Sequence, residues 1–344
     1  MFFILSCQLA FSQVPNEIVL SNNNLGISLG KTVGFFEDVN SEFESYLDLV
    51  EPSTSDIFIE SSEDILDFKQ TASRYWLRFS ITNTTDFNHF ILETARPVTN
   101  KVEFFEVSDN VVINHFISGD DLSYDSKEIA HRKNVFPFEL GNNETKLFYL
   151  KLESDGALLF APIVVRDRMS FFETDFKKQF TNGLYYGLAG LVVIIYFFFF
   201  VFLKDKTFLY YVLFVFSQGA LLFFFDGYAH HYLFRSGGYF LNHLLGLFAG
   251  LSGIFMLIYV SNFLTIKKYS KGLWYMFWFS GLFLGVITLM LLIPGKSYEM
   301  AVPLINIAGL LSTFFIGYCV LHLRLNGERV DFFFSLAIII LISG

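Results

Sequence analysis

The sequence predicts an antiparallel β-sandwich over residues 13–167, followed by an all-α, polytopic membrane bundle over residues 183–344. Hydrophobic residues alternate with a period of two in the first part, whereas long apolar runs fill the second. The charge is divided in the same way: residues 14–180 carry 28 acidic against 15 basic side chains, and residues 181–344 carry 5 against 9. We therefore predict an acidic, folded domain joined to a mildly basic membrane part.

The clearest strand of the first part covers residues 75–83, where apolar and polar side chains alternate. Leu77, Phe79 and Ile81 share one face and are expected in the core. Trp76 lies on the other face, where it could stack on a sugar or pack on a covered face of the sheet; packing is favoured. Turn-forming clusters separate the further predicted strands, which cover residues 89–93, 101–107, 111–118, 134–139, 146–154 and 158–165.

Five apolar runs in the second part are long enough to cross a ~30 Å hydrocarbon layer, since a helix rises ~1.5 Å per residue. These runs and a truncated sixth cover residues 183–203, 207–225, 241–264, 273–293, 301–323 and 332–344. Residues 168–182 form a charged connector before the first run. Most Lys and Arg residues of the loops fall on one side, which the positive-inside rule assigns to the cytoplasm. The sandwich is then expected outside.

Residues 1–12 are interpreted as a secretory signal peptide, because a short apolar stretch is followed by Ala10-Phe11-Ser12 before Gln13. Together with the charge asymmetry, this predicts a multi-pass protein of the inner (cytoplasmic) membrane with a periplasmic or extracellular N-terminal domain. The lipid bilayer is therefore one expected partner.

The composition disfavours several classes of function. An acidic domain argues against nucleic-acid binding, which needs clustered Lys and Arg. The sequence shows no nucleophile–base pair and no metal-ligand spacing, so we predict no enzymatic activity, no catalytic or metal-binding residues and no cofactor. Asp120, Asp121, Asp125 and Glu128 could hold calcium through oxygen ligands, but a solvated loop is favoured. Ligand-binding residues are not assigned.

Small and polar residues predict how the membrane helices pack. Three pairs of glycines four residues apart mark helix faces where backbones can approach closely. The pairs are Gly183/Gly187, Gly246/Gly250 and Gly281/Gly285. Gln218 and Asn306 are the strongly polar side chains well inside the runs, and we expect both to hydrogen-bond between helices. Neither side chain ionises, which disfavours an ion-coupled transporter.

Four short segments carry a resemblance to one receptor family. They are YWLRFSITN at 75–83, LFYLKL at 147–152, GLYYG at 183–187 and KDKTFLYY at 204–211. In this order, after the signal peptide and with the membrane runs, they make the chain resemble the bacterial seven-transmembrane receptors with diverse intracellular signalling modules. The resemblance covers essentially the whole chain.

This resemblance implies a jelly-roll outer domain that binds a small, carbohydrate-like ligand. It also implies a cytoplasmic output module, such as a histidine kinase or a nucleotide cyclase. The sequence ends inside its sixth apolar run, so we expect the natural gene to continue through a seventh helix to such a module. The family supplies no motif that places the ligand contacts.

Two hypotheses follow. The chain is either the sensing and membrane part of a signalling receptor, or a membrane-anchored binding or envelope-scaffold protein that transmits nothing. An anchor needs one helix, and five or more helices exceed that need, so the receptor is favoured.

Overall fold

The computed structural model describes residues 17–50, 57–94, 96–108, 111–238, 240–328 and 330–343, and the predicted signal peptide lies outside them. The chain separates into two compact units. The first unit comprises the described residues up to Thr174 together with Arg235–Gly237, and the second comprises Asp175–Phe234 and the residues from Gly238 onward. An all-β part precedes an all-α part, which confirms the predicted fold class.

Twelve strands form the all-β part among the described residues. They are β1 (Glu17–Leu20), β2 (Gly34–Asp38), β3 (Ile59–Glu60), β4 (Ile65–Gln70), β5 (Arg74–Asn83), β6 (His89–Glu93), β7 (Lys101–Ser108), β8 (Val111–Ser118), β9 (Val135–Glu139), β10 (Thr145–Glu153), β11 (Leu158–Pro162) and β12 (Val164–Asp167). Each strand predicted above is present, except that residues 158–165 form parts of two strands separated by Ile163.

The strands form one large sheet and two small ones. The large sheet has the order β3–β2–β5–β10–β7–β8, and β1 pairs in parallel with the last residues of β5. The small sheets are β12–β6–β9 and β11–β4. β5 is the central strand, because it pairs with β10 along one edge and shares its other edge between β2 and β1.

The main core lies between the large sheet and the small sheets, because its buried side chains come from all three. Leu77, Phe79 and Ile81 are 0% exposed and belong to this core, which confirms their predicted burial. Across the core, Phe104 of β7 stacks on Phe136 of β9 with 5.2 Å between the ring centroids. Each buried side chain of this size contributes ~1.5–3 kcal/mol, so these aromatic residues hold the sheets together.

Five helices are long and apolar enough to cross a membrane, judged by length and composition within the described residues. They are α2 (Arg168–Leu203), α3 (Lys206–Phe225), α4 (Phe240–Phe263), α6 (Lys271–Leu291) and α7 (Lys296–Leu325). The shorter helices are α1 (Leu47–Val50), α5 (Ile266–Tyr269) and α8 (Phe332–Ser343). The charged connector before the first apolar run is helical, since α2 begins directly after β12.

One of the three glycine pairs allows close helix packing. Gly246 and Gly250 of α4 lie against Leu291 and Thr288 of α6, and a Cβ atom at Gly250 would overlap the Thr288 side chain. The prediction is confirmed for this pair. At the other two pairs nothing in the described chain lies within 4 Å of the position that a Cβ atom would take, so the prediction of close approach is wrong there.

Of the two polar side chains inside the membrane runs, one makes the predicted interhelical hydrogen bond and the other does not. Gln218 of α3 accepts a hydrogen bond from Ser252 of α4, with 2.6 Å between Oε1 and Oγ, which confirms the predicted interhelical bond. Asn306 lies on an exposed face of α7 and has no hydrogen-bond partner among the described residues. The prediction is wrong for Asn306, because its position on the helix points it away from the packed side.

Candidate ligand site on the large sheet

The outer face of the large sheet, opposite the main core, carries three rows of side chains set by the strand register. One row, which we call the charged row, joins Asp38, Arg74, Glu153 and Lys101. The next row contains Phe36, Trp76, Lys151 and Glu103. The third, which we call the aromatic row, contains Arg78, Tyr149, Phe105 and His115. Charged groups therefore meet aromatic groups along the second row.

Two cations of this face have little exposure to solvent: the Arg74 side chain is 11% exposed and the Lys151 side chain is 3% exposed. Arg74 Nε lies 3.1 Å and Lys151 Nζ lies 3.2 Å from the same oxygen, Oε1 of Glu153. Lys151 Nζ also lies 3.3 Å from Glu103 Oε1 and 5.6 Å from the centroid of the Trp76 ring. Removing cations from water is costly, so the surrounding carboxylates are what permit their burial.

Glu103 links the charged row to the aromatic row. Its Oε1 lies 2.8 Å from Lys101 Nζ, and its Oε2 lies 2.9 Å from His115 Nε2. Burial alone would raise the pKa of Glu103, but the hydrogen bond from Lys101 and the charges of Lys151 and Lys101 hold that pKa below its ordinary value. Glu103 is therefore ionised, and both of its oxygens are already engaged.

Phe105 is the centre of the aromatic row. The His115 ring stacks on it with 4.3 Å between centroids and 7° between planes, and the rings of Tyr46 and Trp76 lie at 5.7 Å and 5.9 Å. Trp76 is 0% exposed, and its Nε1 is buried without a hydrogen-bond partner among the described residues. This burial agrees with the favoured interpretation that Trp76 packs on a covered face.

The outer face is covered by residues 43–49, which we call the covering segment. Arg74 Nη1 donates to the carbonyl oxygen of Phe43 at 2.8 Å, and Lys151 Nζ donates to the carbonyl oxygen of Glu44 at 3.2 Å. Apolar side chains of the segment pack on the aromatic row. Arg74 and Lys151 thus bind the covering segment as well as the carboxylates of the sheet.

A cavity of about 260 Å³ lies between the covering segment and strands β7 and β8. Its lining consists of Glu44, Ser45, Tyr46, Glu103, Phe105, Val112 and His115. The Glu44 side chain is 74% exposed, with Oε1 3.4 Å from Arg74 Nη1 and Oε2 3.7 Å from Lys151 Nζ. Ring surface beside a few convergent polar groups is the usual composition of a small-molecule site.

A second cavity, of about 370 Å³, is lined by Phe35, Glu37, Glu60, Ser61, Ser62, Glu63, Leu66, Asp67, Phe68, Lys69 and Tyr75. Burial and a hydrogen bond to Glu37 raise the pKa of Tyr75 to about 12, so its hydroxyl stays neutral. The carboxylates of Glu37, Glu60 and Glu63 belong to exposed residues. The first cavity, by contrast, sets ring surface beside the buried carboxylate of Glu103, so we place the candidate ligand site there.

The acidic stretch considered for calcium is divided by the structure. Asp125 is exposed, whereas Asp120 is 2% exposed and both of its carboxylate oxygens are buried without a hydrogen-bond partner among the described residues. Burial, with the charges of Asp121 and Asp155, raises the pKa of Asp120 well above its ordinary value. A solvated loop is therefore wrong for Asp120. The described residues contain no group of three or more His, Cys, Asp or Glu side chains that could hold a metal ion.

Sequence reasoning did not single out Glu44, Glu103, Lys151 or His115 as site residues. A partial signal was present in the predicted strand at 101–107, where charged and aromatic side chains share one face. Glu44 had no such signal, because it belongs to a segment whose place over the sheet depends on the tertiary fold.

Comparison with known families covers both units. Residues 30–166 match the family described as 7TMR-DISM extracellular 2, and residues 178–344 match the family described as 7TM diverse intracellular signalling. The chain belongs to the 7TMR-DISM family. This confirms the resemblance found in the sequence, and it makes the chain a multi-pass membrane protein of receptor type with an extracellular N-terminal domain. The candidate ligand site lies within that extracellular 7TMR-DISM domain.

Other similarities are weak. No curated protein matches this 7TMR-DISM chain significantly. Among solved structures, a β-glucosidase from Kluyveromyces marxianus in complex with glucose is similar at 8% identity and a TM-score of 0.25, over 39% of this chain and 15% of the enzyme. A likeness of this size carries no argument about fold or function.

Proposed function

We propose that this chain is the sensing and membrane part of a receptor in the inner membrane. In this proposal a small extracytoplasmic ligand binds in the outer-face cavity, and the helical bundle passes the change to a cytoplasmic signalling module. The observation that carries the proposal is that one chain joins a sandwich with a cavity on its outer face to five helices able to cross a membrane. One such helix is enough for an anchor, so the number of helices favours transmission.

The proposed ligand class is carbohydrate-like, as the family resemblance implies. The cavity supports this class with the rings of Phe105 and Tyr46 beside the hydroxyl of Ser45 and the imidazole of His115. Sugar rings pack on aromatic surfaces while their hydroxyl groups need polar partners, and this lining offers both. The chain itself has no catalytic role in this proposal.

Transmission requires two arrangements of the protein with different affinity for the ligand. A ligand can shift their equilibrium by no more than that difference in binding free energy. The proposal therefore demands a change at the cytoplasmic side that depends on a residue of the cavity.

A labelling experiment tests this demand. The full chain carrying Lys268→Cys with an environment-sensitive fluorophore is placed in lipid nanodiscs and titrated with D-glucose, D-galactose, D-mannose, N-acetyl-D-glucosamine and D-glucuronate. We expect at least one sugar to change the fluorescence. His115→Ala, in the cavity, should abolish the response, whereas His89→Ala should preserve it, because His89 is an exposed residue outside the cavity lining.

The outcomes separate the two hypotheses. Sugar binding without any change at position 268 would favour the membrane-anchored binding or scaffold protein. Failure of all five sugars to bind would overturn the proposed carbohydrate-like ligand, and a response that survives His115→Ala would move the site away from this cavity.

A further inference from the structure

Glu44 contributes to a charged network that is already balanced without it. Within the sheet, three cations face three carboxylates, namely Lys101, Arg74 and Lys151 against Asp38, Glu103 and Glu153. Glu44 adds a fourth carboxylate from the covering segment, at the longer distances of 3.4 Å and 3.7 Å from Arg74 and Lys151. The three cations are thus neutralised without the Glu44 carboxylate, and they hold that carboxylate only weakly.

We propose that the outer-face cavity binds a small hydroxylated ligand carrying a carboxylate, and that this carboxylate takes the place of the Glu44 side chain against Arg74 and Lys151. The inference rests on the proposed function and names the chemical class of its ligand. A hexuronic acid is a ligand of this class. Glu44 is then an internal competitor for the ligand's acidic group.

The energetic balance favours the exchange. An ion pair made by a mostly exposed side chain contributes little to stability, so little opposes the rotation of Glu44 into water. Hydrogen bonds from ionised donors are about twice as strong as neutral ones, and Arg74 and Lys151 are nearly buried. The planar guanidinium of Arg74 also matches the geometry of a carboxylate.

A cationic ligand is disfavoured by the same groups. It would have to pair with Glu103, whose oxygens are engaged by Lys101, Lys151 and His115, or with the solvated carboxylate of Glu44. It would also approach Arg74 and Lys151, which carry the same sign of charge. An anionic ligand is favoured instead, because it would displace the Glu44 carboxylate and then lie against Arg74 and Lys151.

The remaining lining suits the hydroxylated body of such a ligand. The cavity, at about 260 Å³, is smaller than the ~300–1,000 Å³ of sites for drug-sized ligands, so a monosaccharide-sized molecule is the appropriate occupant. The rings of Phe105 and Tyr46 offer apolar surface to such a molecule, and Ser45 and His115 offer polar groups to its hydroxyls.

Three probe sugars test the inference. D-Glucuronate and D-glucose differ only in carrying a carboxylate or an alcohol at one carbon, and D-glucosamine supplies a cation of similar size. Calorimetric titration uses the full chain in nanodiscs at low and high salt. We expect glucuronate to bind at least tenfold more tightly than glucose, with a preference that shrinks as salt screens the charges.

Two variants assign the preference to the named residues. Glu44→Gln keeps the shape of the competitor and removes its charge, so it should raise glucuronate affinity several-fold and leave glucose affinity unchanged. Glu128→Gln removes an exposed carboxylate outside the cavity lining and should change neither. Lys151→Met keeps the aliphatic stem and should abolish the preference; if this variant does not fold, Glu44→Gln and the salt dependence decide.

Each outcome bears on the inference. Equal affinity for glucuronate and glucose, tighter binding of glucosamine, or a glucuronate affinity unchanged by Glu44→Gln would overturn it while leaving the proposed function standing. Absence of binding by all three probes would also overturn it. The proposed function is judged separately, by the fluorescence response to the wider set of sugars.

Discussion

Glu103 and His115 contact each other diagonally across β7 and β8, with 2.9 Å between Glu103 Oε2 and His115 Nε2. The register pairs Glu103 with Ile117 and His115 with Phe105, so the imidazole bonds to the neighbouring row while its ring stacks on its own register partner. This diagonal contact couples the charged row to the aromatic row. The cavity residue His115 is therefore joined through Glu103 to the cations Lys101 and Lys151.

The first prediction concerns Glu103. Because its pKa is held low in the folded protein, its stabilising effect is complete above the ordinary pKa of a glutamate and is lost as the pH falls through the folded value. Glu103→Gln should cost about 1.5–3 kcal/mol at neutral pH and weaken this loss in acid. Pulse proteolysis of the full chain across pH measures both.

The matched control for Glu103 is Glu139→Gln. The Glu139 side chain is 77% exposed and pairs with His89 at 3.2 Å. Such a surface pair contributes ~0–1 kcal/mol. Equal losses for Glu103→Gln and Glu139→Gln would show that the outer-face network has no special energetic importance.

The second prediction concerns Asp120, whose pKa is raised by burial. A raised folded pKa means that the folded chain keeps a proton that the unfolded chain has released, so the free energy of unfolding falls as pH rises from the ordinary aspartate range through the raised value. Asp120→Asn should remove this fall and make the protein more stable than wild type at neutral pH, by about 1–3 kcal/mol. The two proteins should converge in acid.

Thermal unfolding followed from low to neutral pH checks this prediction for Asp120. The exposed Asp86 provides the control variant Asp86→Asn, for which we expect no change. Burial lowers the pKa of Lys127 to about 8, and the charge of Asp120 opposes that effect. Asp120→Asn should therefore lower the pKa of Lys127 further. A stability profile that Asp120→Asn leaves unchanged from acid to neutral pH would contradict the prediction.

The third prediction compares two glycines of the membrane part. Gly250→Ala places a Cβ atom against Thr288, whose hydroxyl is held by a 2.7 Å hydrogen bond to the Leu284 carbonyl oxygen, so overpacking should cost about 1–3 kcal/mol. Gly285→Ala meets nothing in the described chain within 4 Å, and helix propensity should make it neutral or stabilising by up to ~1 kcal/mol. Thermal stability in detergent measures both. Effects of the same sign would refute the assignment.

The fourth prediction concerns membrane topology. With the N-terminal domain outside, an impermeant maleimide added to intact cells should label Ser236→Cys and leave Lys268→Cys unlabelled; both positions are exposed. After permeabilisation, both should react. The parent chain serves as control, because Cys319 is buried. Labelling of Lys268→Cys in intact cells would reverse the orientation.

The sequence was informative wherever local periodicity determines the structure. Alternation along β5 was enough to place Leu77, Phe79 and Ile81 in the core, because successive side chains of a strand point to opposite faces. The length of the apolar runs was enough to indicate membrane-crossing helices. Both properties belong to a single segment and need no knowledge of its neighbours.

The candidate site depends on neighbours, and for that reason it could not be predicted. Glu44 meets Lys151 across more than a hundred residues, through a hydrogen bond that exists only once the covering segment crosses the sheet. The same limit explains the mixed result for the glycine pairs. Spacing shows that two glycines share a face, but it does not show which face meets another helix.

The central position of β5 also governs when the sandwich can close during synthesis. Phe79 packs on Phe148 of β10 with 5.8 Å between ring centroids, and β10 begins only at Thr145. The ribosome synthesises the N-terminal strands first, so the aromatic side chains of β5 remain exposed to solvent until most of the domain has been made. Pairings of such long sequence separation form slowly, and it is during this delay that the nascent chain is most exposed to aggregation and to proteases.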